Sequence, residues 1–325
     1  MKRLFVCAGT ALLAGCLMGP DYRRPPVVTP ATFQYAAKDA ADTADTQWWT
    51  QFRDPVLDQL ITEGLAHNSN IAIAAANVEQ AAALLTQSRS PLFPQLGYAA
   101  TGERQRSLEP AFASLLRNYP NPSTAYEAAL SASWEIDLWG RIRRQSEAAL
   151  ANLLATDEAR RGVILSLVAS VANSYLQLRG LDAQLQVARK TLSTYGESVR
   201  LFELQFKYGQ VSKMNVVQAQ SQYESAAAQI PLLESQIAQN QNALAVLIGR
   251  DPGPIARGKS VDELALPPVP AGLPSALLEQ RPDLLQAEQV LVAANAQIGA
   301  ARALYFPAIS LTGAFGGASS ELSNL

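Results

Sequence analysis

The fold of this chain is decided by residues 126–140, YEAALSASWEIDLWG. Every even-numbered position from Tyr126 to Leu138 is apolar, while mostly polar or small residues fill the odd-numbered positions between them. An alternation of this length predicts a β-strand with one apolar and one polar face. The run exceeds the ~9–11 residues that cross a bilayer, and its tryptophans lie where an aromatic girdle is expected. We therefore predict a membrane strand over residues 124–138, with an exposed strand of a soluble sheet as the alternative.

The two faces of this strand are the first candidate site. Toward lipid we expect Tyr126, Leu130, Trp134 and Ile136. Toward a water-filled lumen we expect Glu127, Ser131, Ser133, Glu135 and Asp137. Because residues two apart on a strand share a face, we interpret Glu135 and Asp137 as lumen residues and not as a catalytic pair.

The segment before this strand has the same alternation. Over residues 94–107, Leu96, Tyr98, Ala100 and Gly102 point one way, and a loop containing Asn118 to Pro122 follows. We therefore predict a second membrane strand over residues 94–107.

The segment after Gly140 is predicted to be helical for a long distance. Residues 141–206 contain no proline, and about 65 helical residues would extend roughly 100 Å, which implies coiled-coil or bundle packing. Residues 207–212 (KYGQVS) predict a turn, and Ser212 is expected to cap a returning helix that ends near Ile248. The sequence thus predicts a long helical hairpin over residues 141–248. Shorter helices are expected to begin at Asp54-Pro55 and at Asn70.

The N-terminus indicates export. Lys2 and Arg3 precede an apolar run that ends at Leu13-Ala14-Gly15-Cys16, which is too short to span a bilayer permanently. We predict a signal peptide over residues 1–15 and a diacylated Cys16, since two or more acyl chains give stable anchoring. The alternative is an ordinary signal peptide with a chance cysteine. Residues 16–53 are expected to be a lipidated, extended tether.

Composition argues against several classes of function. The net charge is -2 and charged residues make up 17%, so no basic surface for nucleic acid is evident. The chain has one His and two Cys, of which Cys7 lies in the predicted signal peptide. We therefore expect no enzyme, no metal site and no cofactor other than the covalent lipid on Cys16.

The helix and strand patterns recur near the end of the chain. Residues 302–307 (RALYFP) match residues 89–94 (RSPLFP), and at the same offset Asp283 matches Asn70. Residues 249–280 are rich in Pro and Gly and are predicted to be a connector. Residues 54–248 are then a first repeat and residues 281–325 the start of a second. Because the second copy stops after its first strand, we expect a C-terminally truncated chain.

These motifs resemble those of the TolC-like outer-membrane factors, in the NodT- or OprM-like efflux lipoprotein branch. The matching pieces are the lipobox, WW at 48–49, WEIDLWG at 134–140, YLQLRG at 175–180, LIGR at 247–250 and RPD at 281–283. The resemblance implies a mainly α fold with a transmembrane β part, in which long antiparallel hairpins form an α-barrel tunnel and a homotrimer closes an outer-membrane β-barrel.

The resemblance also implies function and partners. It predicts the exit duct of a tripartite efflux system, located in the outer membrane and reaching into the periplasm, that exports small molecules such as drugs. Its partners would be a periplasmic adaptor protein, an inner-membrane resistance–nodulation–division pump and outer-membrane lipid. The adaptor would meet the hairpin tip at Gly209, Gln210, Val211 and Ser212. The alternative is a non-conducting structural lipoprotein or a truncated remnant of a duct, because family members give four strands to the barrel and this chain supplies at most three.

Overall fold

The computed structural model describes residues 17–26, 47–106, 122–265 and 279–324. The predicted signal peptide, Cys16 and parts of the predicted tether and connector lie outside these residues. The longer elements, in chain order, are α1 (Pro55–His67), α2 (Ser69–Arg89), β1 (Gln95–Gln105), β2 (Ser123–Ile136), α3 (Arg141–Lys207), α4 (Lys213–Leu247), α5 (Pro282–Ala303) and β3 (Ile309–Ser319).

The described residues divide into two units. The sheet unit contains residues 17–26, 78–106, 122–156 and 286–324, and the helix unit contains residues 47–77, 157–265 and 279–285. Within the part of the chain described, no helix combines the length and apolarity needed to cross a membrane.

The helix unit is built around an apolar core from α1, α3 and α4. Burying an aliphatic side chain of this kind stabilises the fold by about 1.5–3 kcal/mol. The most deeply buried members are Leu57, Ile61, Val171, Tyr175, Leu178, Leu244 and Ile248. The helix α1 begins as predicted, because the Asp54 carboxylate accepts a hydrogen bond from the Val56 N–H and Pro55 occupies the first turn.

The cap of α2 differs from the prediction. Asn68, and not Asn70, accepts hydrogen bonds through its side-chain oxygen, from the backbone N–H groups of Asn70 (2.8 Å) and Ile71 (3.3 Å). Asn68 also donates to the Leu247 carbonyl at 2.8 Å. The same side chain therefore starts α2 and holds the end of α4, a tertiary contact that the local sequence pattern does not reveal.

The predicted helical hairpin is present as two helices. The helix α3 has 67 residues and α4 has 35, with the turn between Lys207 and Lys213. The helix α4 continues through Pro231.

The strands form a three-stranded antiparallel sheet in the order β1-β2-β3. The strand β2 ends at Ile136 and not at the predicted residue 138, because Asp137 turns the chain into α3. The strand β1 ends at Gln105, whereas residue 107 was expected. At an offset of 213 residues, α5 and β3 match α2 and β1 to within one residue at each boundary.

The prediction of a tether over residues 16–53 is wrong for the parts that the structure describes, because these parts are packed against helices. Residues 17–24 lie against α3 and α5 in the sheet unit, where Arg144 binds their backbone. In the helix unit, Trp48 and Trp49 pack against the core and Phe52 is buried. The Pro-, Ala- and Asp-rich composition concealed these contacts, which depend on partners far along the chain.

Candidate functional site

The strand register gives the sheet one continuous apolar face. Residues directly opposite each other in an antiparallel pair point to the same side. Tyr98 lies opposite Leu130, and Leu130 lies opposite Phe315, so apolar side chains extend across all three strands. Tyr98 is 88% exposed and Phe315 is 82% exposed. The complete set on this face includes Leu96, Tyr98, Tyr126, Leu130, Trp134, Ile136, Ile309, Leu311 and Phe315.

The opposite face of the sheet is polar. Thr101 pairs with Glu127, Gly97 with Ser131, and Ser133 with Thr312. The predicted lumen residues Glu127, Ser131, Ser133 and Glu135 therefore share one face, and the predicted lipid residues share the other. A sheet with this division suits lipid on one side and water on the other.

Glycines at two places in the sheet lie close to neighbouring groups. A Cβ at Gly102 would lie 3.2 Å from the Tyr126 ring, which covers that position on the apolar face. A Cβ at Gly316 would overlap the Ala128 carbonyl oxygen. Both glycines thus allow neighbouring groups to approach the strand backbone closely.

Aromatic side chains gather where the sheet meets the helices. Trp134 donates its indole N–H to the Leu92 carbonyl at 3.0 Å, and Trp139 donates to the Pro307 carbonyl at 3.1 Å. The Trp139 ring stacks on Phe306 with a centroid distance of 4.5 Å. Indole rings with a satisfied N–H and an apolar body are typical of membrane–water interfaces.

The sequence suggested that Asp137 shares a face of β2 with Glu135. The structure instead places Asp137 after the end of this strand. Its carboxylate accepts hydrogen bonds from the backbone N–H groups of Ile142 (3.1 Å) and Arg143 (2.9 Å). It therefore caps the first turn of α3, where a negative charge also meets the positive end of the helix dipole. Glu135 forms a bidentate ion pair with Arg141 at 2.8 and 2.7 Å. Alternation alone could not reveal this cap, because the period of two continues through Leu138.

The predicted tip is an exposed turn. Gly209 has a φ of +71° and nothing lies within 4 Å of a Cβ built on it. Its N–H donates to the Phe206 carbonyl, and that of Gln210 donates to the Gln205 carbonyl, both at 2.9 Å. Ser212 does not cap α4 through its side chain as expected, because its hydroxyl donates to the Asn215 side chain at 3.2 Å. Tyr208 and Met214 leave an exposed apolar surface beside the glycine.

The helix unit contains a buried polar cluster around Asp54. The sequence predicted only that Asp54 caps α1. The Tyr175 hydroxyl donates to Asp54 at 2.7 Å and accepts from the Gly258 N–H at 3.0 Å, while the Lys259 N–H donates to Asp54 at 3.1 Å. Burial, and then the hydrogen bond to Asp54, raise the pKa of Tyr175 to about 12. A Cβ at Gly258 would overlap the Asp54 carboxylate. The cluster fixes residues 258–259 to α3. The sequence indicated only one part of it, the helix cap predicted from Asp54-Pro55.

We examined how the potential metal-ligating side chains are placed relative to one another. Residues 17–26, 47–106, 122–265 and 279–324 bring together no three His, Cys, Asp or Glu side chains able to hold a metal ion. His67 lies exposed at the end of α1.

Comparison with known proteins identifies the family. Residues 60–250 and 273–325 match the family model described as outer membrane efflux protein. CusC, a cation efflux system protein of Escherichia coli, is 37% identical over 330 residues, which span 100% of this chain and 70% of CusC. TtgC, a toluene efflux pump outer membrane protein of Pseudomonas putida, is 38% identical over 333 residues, which span 100% of this chain and 68% of TtgC.

Solved structures show the same architecture. A crystal structure of CusC superposes with a TM-score of 0.82 at 36% identity, covering 95% of this chain and 69% of that one. The open state of the MtrE outer membrane channel of Neisseria gonorrhoeae superposes with a TM-score of 0.80 at 34% identity, covering 95% and 68%. The amphipathic sheet, the long helical hairpin and these matches together show that the chain belongs to the outer membrane efflux protein family.

Proposed function

We propose that this chain is a subunit of the outer-membrane exit duct of a tripartite efflux system and carries small molecules out of the cell envelope. The single observation that carries this proposal is the register of the sheet, which places every large apolar side chain of β2 on one face and Glu127, Ser131, Ser133 and Glu135 on the other. Such a sheet separates lipid from a water-filled path, and the hairpin of α3 and α4 would supply the helical wall of the duct.

The open edges of the sheet support assembly with other copies. Within the described residues, β1 and β3 each pair only with β2, so their outer backbone N–H and C=O groups face away from the sheet. Unpaired backbone groups in lipid cost several kcal/mol each, and partner strands from identical chains would satisfy them. A homotrimer closed by such pairing is the assembly we propose.

The duct acts through geometry and not through chemistry. The polar face offers Glu127, Ser131 and Ser133 to permeating solutes, and Glu135 is neutralised by Arg141. Weak, exchangeable contacts of this kind let polar and charged solutes pass without being trapped. Energy would come from the inner-membrane pump, linked through an adaptor at the tip around Gly209, Gln210, Val211 and Ser212.

The substrates we propose are small amphiphiles such as drugs, solvents or dyes, with metal ions as a further class. CusC is a cation efflux protein and TtgC a toluene efflux protein, yet this chain is 37% and 38% identical to them. Overall identity therefore does not choose between these substrates.

Membrane anchoring would be reinforced by a diacylated Cys16. Leu13-Ala14-Gly15 before the cysteine supports this modification, and Leu17 after it favours outer-membrane delivery. Labelling cells with a radioactive fatty acid should mark the wild-type protein, and a Cys16→Ser variant should remain unlabelled.

Complementation tests the transport function. In a host that lacks its own exit duct but retains the matching pump and adaptor, expression of this chain should restore drug tolerance. A Leu130→Glu variant, which places a charge on the apolar face, should not restore it. Failure of the wild-type chain to rescue, despite its presence in the outer membrane, would contradict the proposed function.

A further inference from the structure

The segment that follows the predicted lipid anchor is fixed along its length in the sheet unit. We refer to residues 17–24 as the N-terminal strap. The Met18 N–H donates to the Trp139 carbonyl at 3.2 Å, at the junction between β2 and α3. Farther along, Asn295 of α5 donates to the Pro20 carbonyl at 2.9 Å. The strap thus contacts the start of one helix and then the side of another.

The far end of the strap is held by Glu288 of α5. The Tyr22 hydroxyl donates to one carboxylate oxygen at 3.2 Å, and Arg24 donates to the other at 2.7 Å. Both partners of Glu288 therefore come from the strap, two residues apart.

Arg144 is the centre of this arrangement. Its side chain is only 2% exposed. It donates to the carbonyl oxygens of Met18 at 3.0 Å and Gly19 at 3.4 Å, and to the carboxylates of Asp21 and Glu147 at 2.8 Å each. Burying a guanidinium strongly destabilises a fold unless its N–H groups donate hydrogen bonds and its charge is paired. Three of its four partners lie in the strap, so Arg144 can be buried in this way only when the strap is seated.

Two glycines allow the strap to pack closely against α5. Gly19 has a φ of +90°, and a Cβ on it would overlap the Gly299 backbone. A Cβ on Gly299 would in turn overlap the Met18 carbonyl oxygen and meet the Arg144 side chain at 3.0 Å. Only glycine at both positions lets the strap backbone touch α5 directly.

We propose that the strap is a clamp that holds the lipid-bearing residue at the sheet–helix junction, with Arg144 as its positioning residue. This inference rests on the proposed acylation of Cys16. Leu17 is bonded directly to Cys16, and it lies so close to Gly140 that a Cβ built on this glycine would overlap the Leu17 side chain. Trp139 and Phe306 stack at the same junction. The clamp therefore sets the acyl chains at the same depth in the membrane as these rings. It also prevents the anchor from moving independently of the sheet.

The clamp connects parts of the chain that are distant in sequence. The helix α3 follows β2, whereas α5 precedes β3, and the strap contacts both. A flexible tether would let the sheet move independently of the lipid. A clamped strap instead ties the depth of the lipid to the positions of two neighbouring strands.

Trypsin cleavage at the Arg23–Arg24 bond tests the clamp in the full-length protein, purified from outer membranes in detergent so that the protease can reach both sides. A seated strap should resist the protease, because its hydrogen-bonded backbone cannot enter the protease active site although Arg23 and Arg24 are exposed. Arg144→Met and Gly19→Ala should each speed cleavage by about tenfold, because local opening frees this backbone. Gly180→Ala is the matched glycine control, since nothing lies within 4 Å of that position, and its cleavage rate should equal that of the wild type. Equal rates in Arg144→Met, Gly19→Ala and the wild type would overturn the clamp.

Two measurements separate this result from misfolding and from failure of the proposed anchor. Gly19 lies outside every helix and strand, so Gly19→Ala should keep the wild-type circular dichroism spectrum even if Arg144→Met does not fold. The mass of the released N-terminal peptide reports acylation. If the wild type rapidly releases an acylated peptide, the clamp is contradicted but the proposed acylation of Cys16 is not. If the peptide is unacylated, the acylation is contradicted, and with it the anchoring role of the strap.

Discussion

At the scale of single residues, the buried carboxylate of Asp54 joins three segments of the helix unit. It accepts from Val56, Tyr175 and Lys259, and all three donors lie in different parts of the sequence. Charge-assisted hydrogen bonds of this kind are strong inside a protein, and each lost partner leaves a buried group unsatisfied. The residues of this cluster therefore contribute to stability and not to transport chemistry.

Removing the Tyr175 hydroxyl should weaken this cluster. Tyr175→Phe would leave the Gly258 N–H without its acceptor and Asp54 without its 2.7 Å donor, which should lower the free energy of unfolding by about 1–3 kcal/mol. Because the folded-state pKa of Tyr175 is raised from 10.0 to about 12, the stability that the hydroxyl contributes is complete below pH 10.0 and is lost as the pH rises to about 12.

Urea unfolding at several pH values measures both effects. Tyr223→Phe is the control, since that ring packs beside Gly196 and its hydroxyl makes no hydrogen bond among the described residues. A loss for Tyr175→Phe no larger than for the control, or a loss that persists unchanged at pH 12, would argue against the assigned role.

Asp58 is a side chain whose replacement should stabilise the protein. Burial, and then the nearby charge of Asp54, raise the pKa of Asp58 above 3.8, and one of its carboxylate oxygens is buried without a hydrogen-bond partner. The folded state therefore binds the proton more tightly than the unfolded state, so the charged side chain costs stability as the pH rises above 3.8.

Asp58→Asn should consequently raise the melting temperature near neutral pH and change it little below pH 3.8. Thermal melts at both pH values measure the difference, with the exposed Asp251→Asn as a control. A gain of equal size at both pH values would show that the carboxylate charge is not the cause.

At the scale of elements, the strands and the hairpin follow from local patterns, whereas the contacts that fix them do not. The period of two in β2 and the absence of proline in α3 were sufficient to predict both elements and the faces of the strand. The roles of Asp137 and Arg144 were missed, because each depends on backbone groups brought close only by folding. The resemblance identified the family, but neither it nor periodicity indicated that residues 17–24 are packed.

Adjacent residues of β2 provide a matched test of the two faces. Leu130→Glu puts a charge among apolar side chains and should destabilise the protein in phospholipid vesicles by about 1–2 kcal/mol. Ser131→Glu puts the same charge on the polar face and should change stability by less than about 0.5 kcal/mol. The midpoint of urea unfolding, followed by tryptophan fluorescence, distinguishes them. Equal losses for the two variants would contradict the assignment of the faces.

The turn between α3 and α4 allows a similar comparison. Gly209→Trp should reduce cross-linking to the periplasmic adaptor severalfold, because a bulky ring would occupy the open space at the tip. Gly209→Asn tolerates the positive φ and is small, so it should retain most of the cross-linking. Outer-membrane delivery should be unchanged in both variants. Undiminished cross-linking by Gly209→Trp would remove the tip from the adaptor interface.

At the scale of the whole molecule, the structure contains an amphipathic sheet and a long helical hairpin. These elements, together with membership of the outer membrane efflux protein family, are those of an outer-membrane efflux channel. Ion flow therefore distinguishes an exit duct from the alternatives, because a structural lipoprotein or a remnant of a duct would conduct no ions.

Conductance in planar lipid bilayers distinguishes an open channel from both of these alternatives. The folded, acylated protein, purified from outer membranes, should produce discrete current steps, and the Leu130→Glu variant should insert rarely and give few of them. Repeated trials with folded, acylated wild-type protein that yield no current above the bare bilayer would contradict the exit-duct assignment.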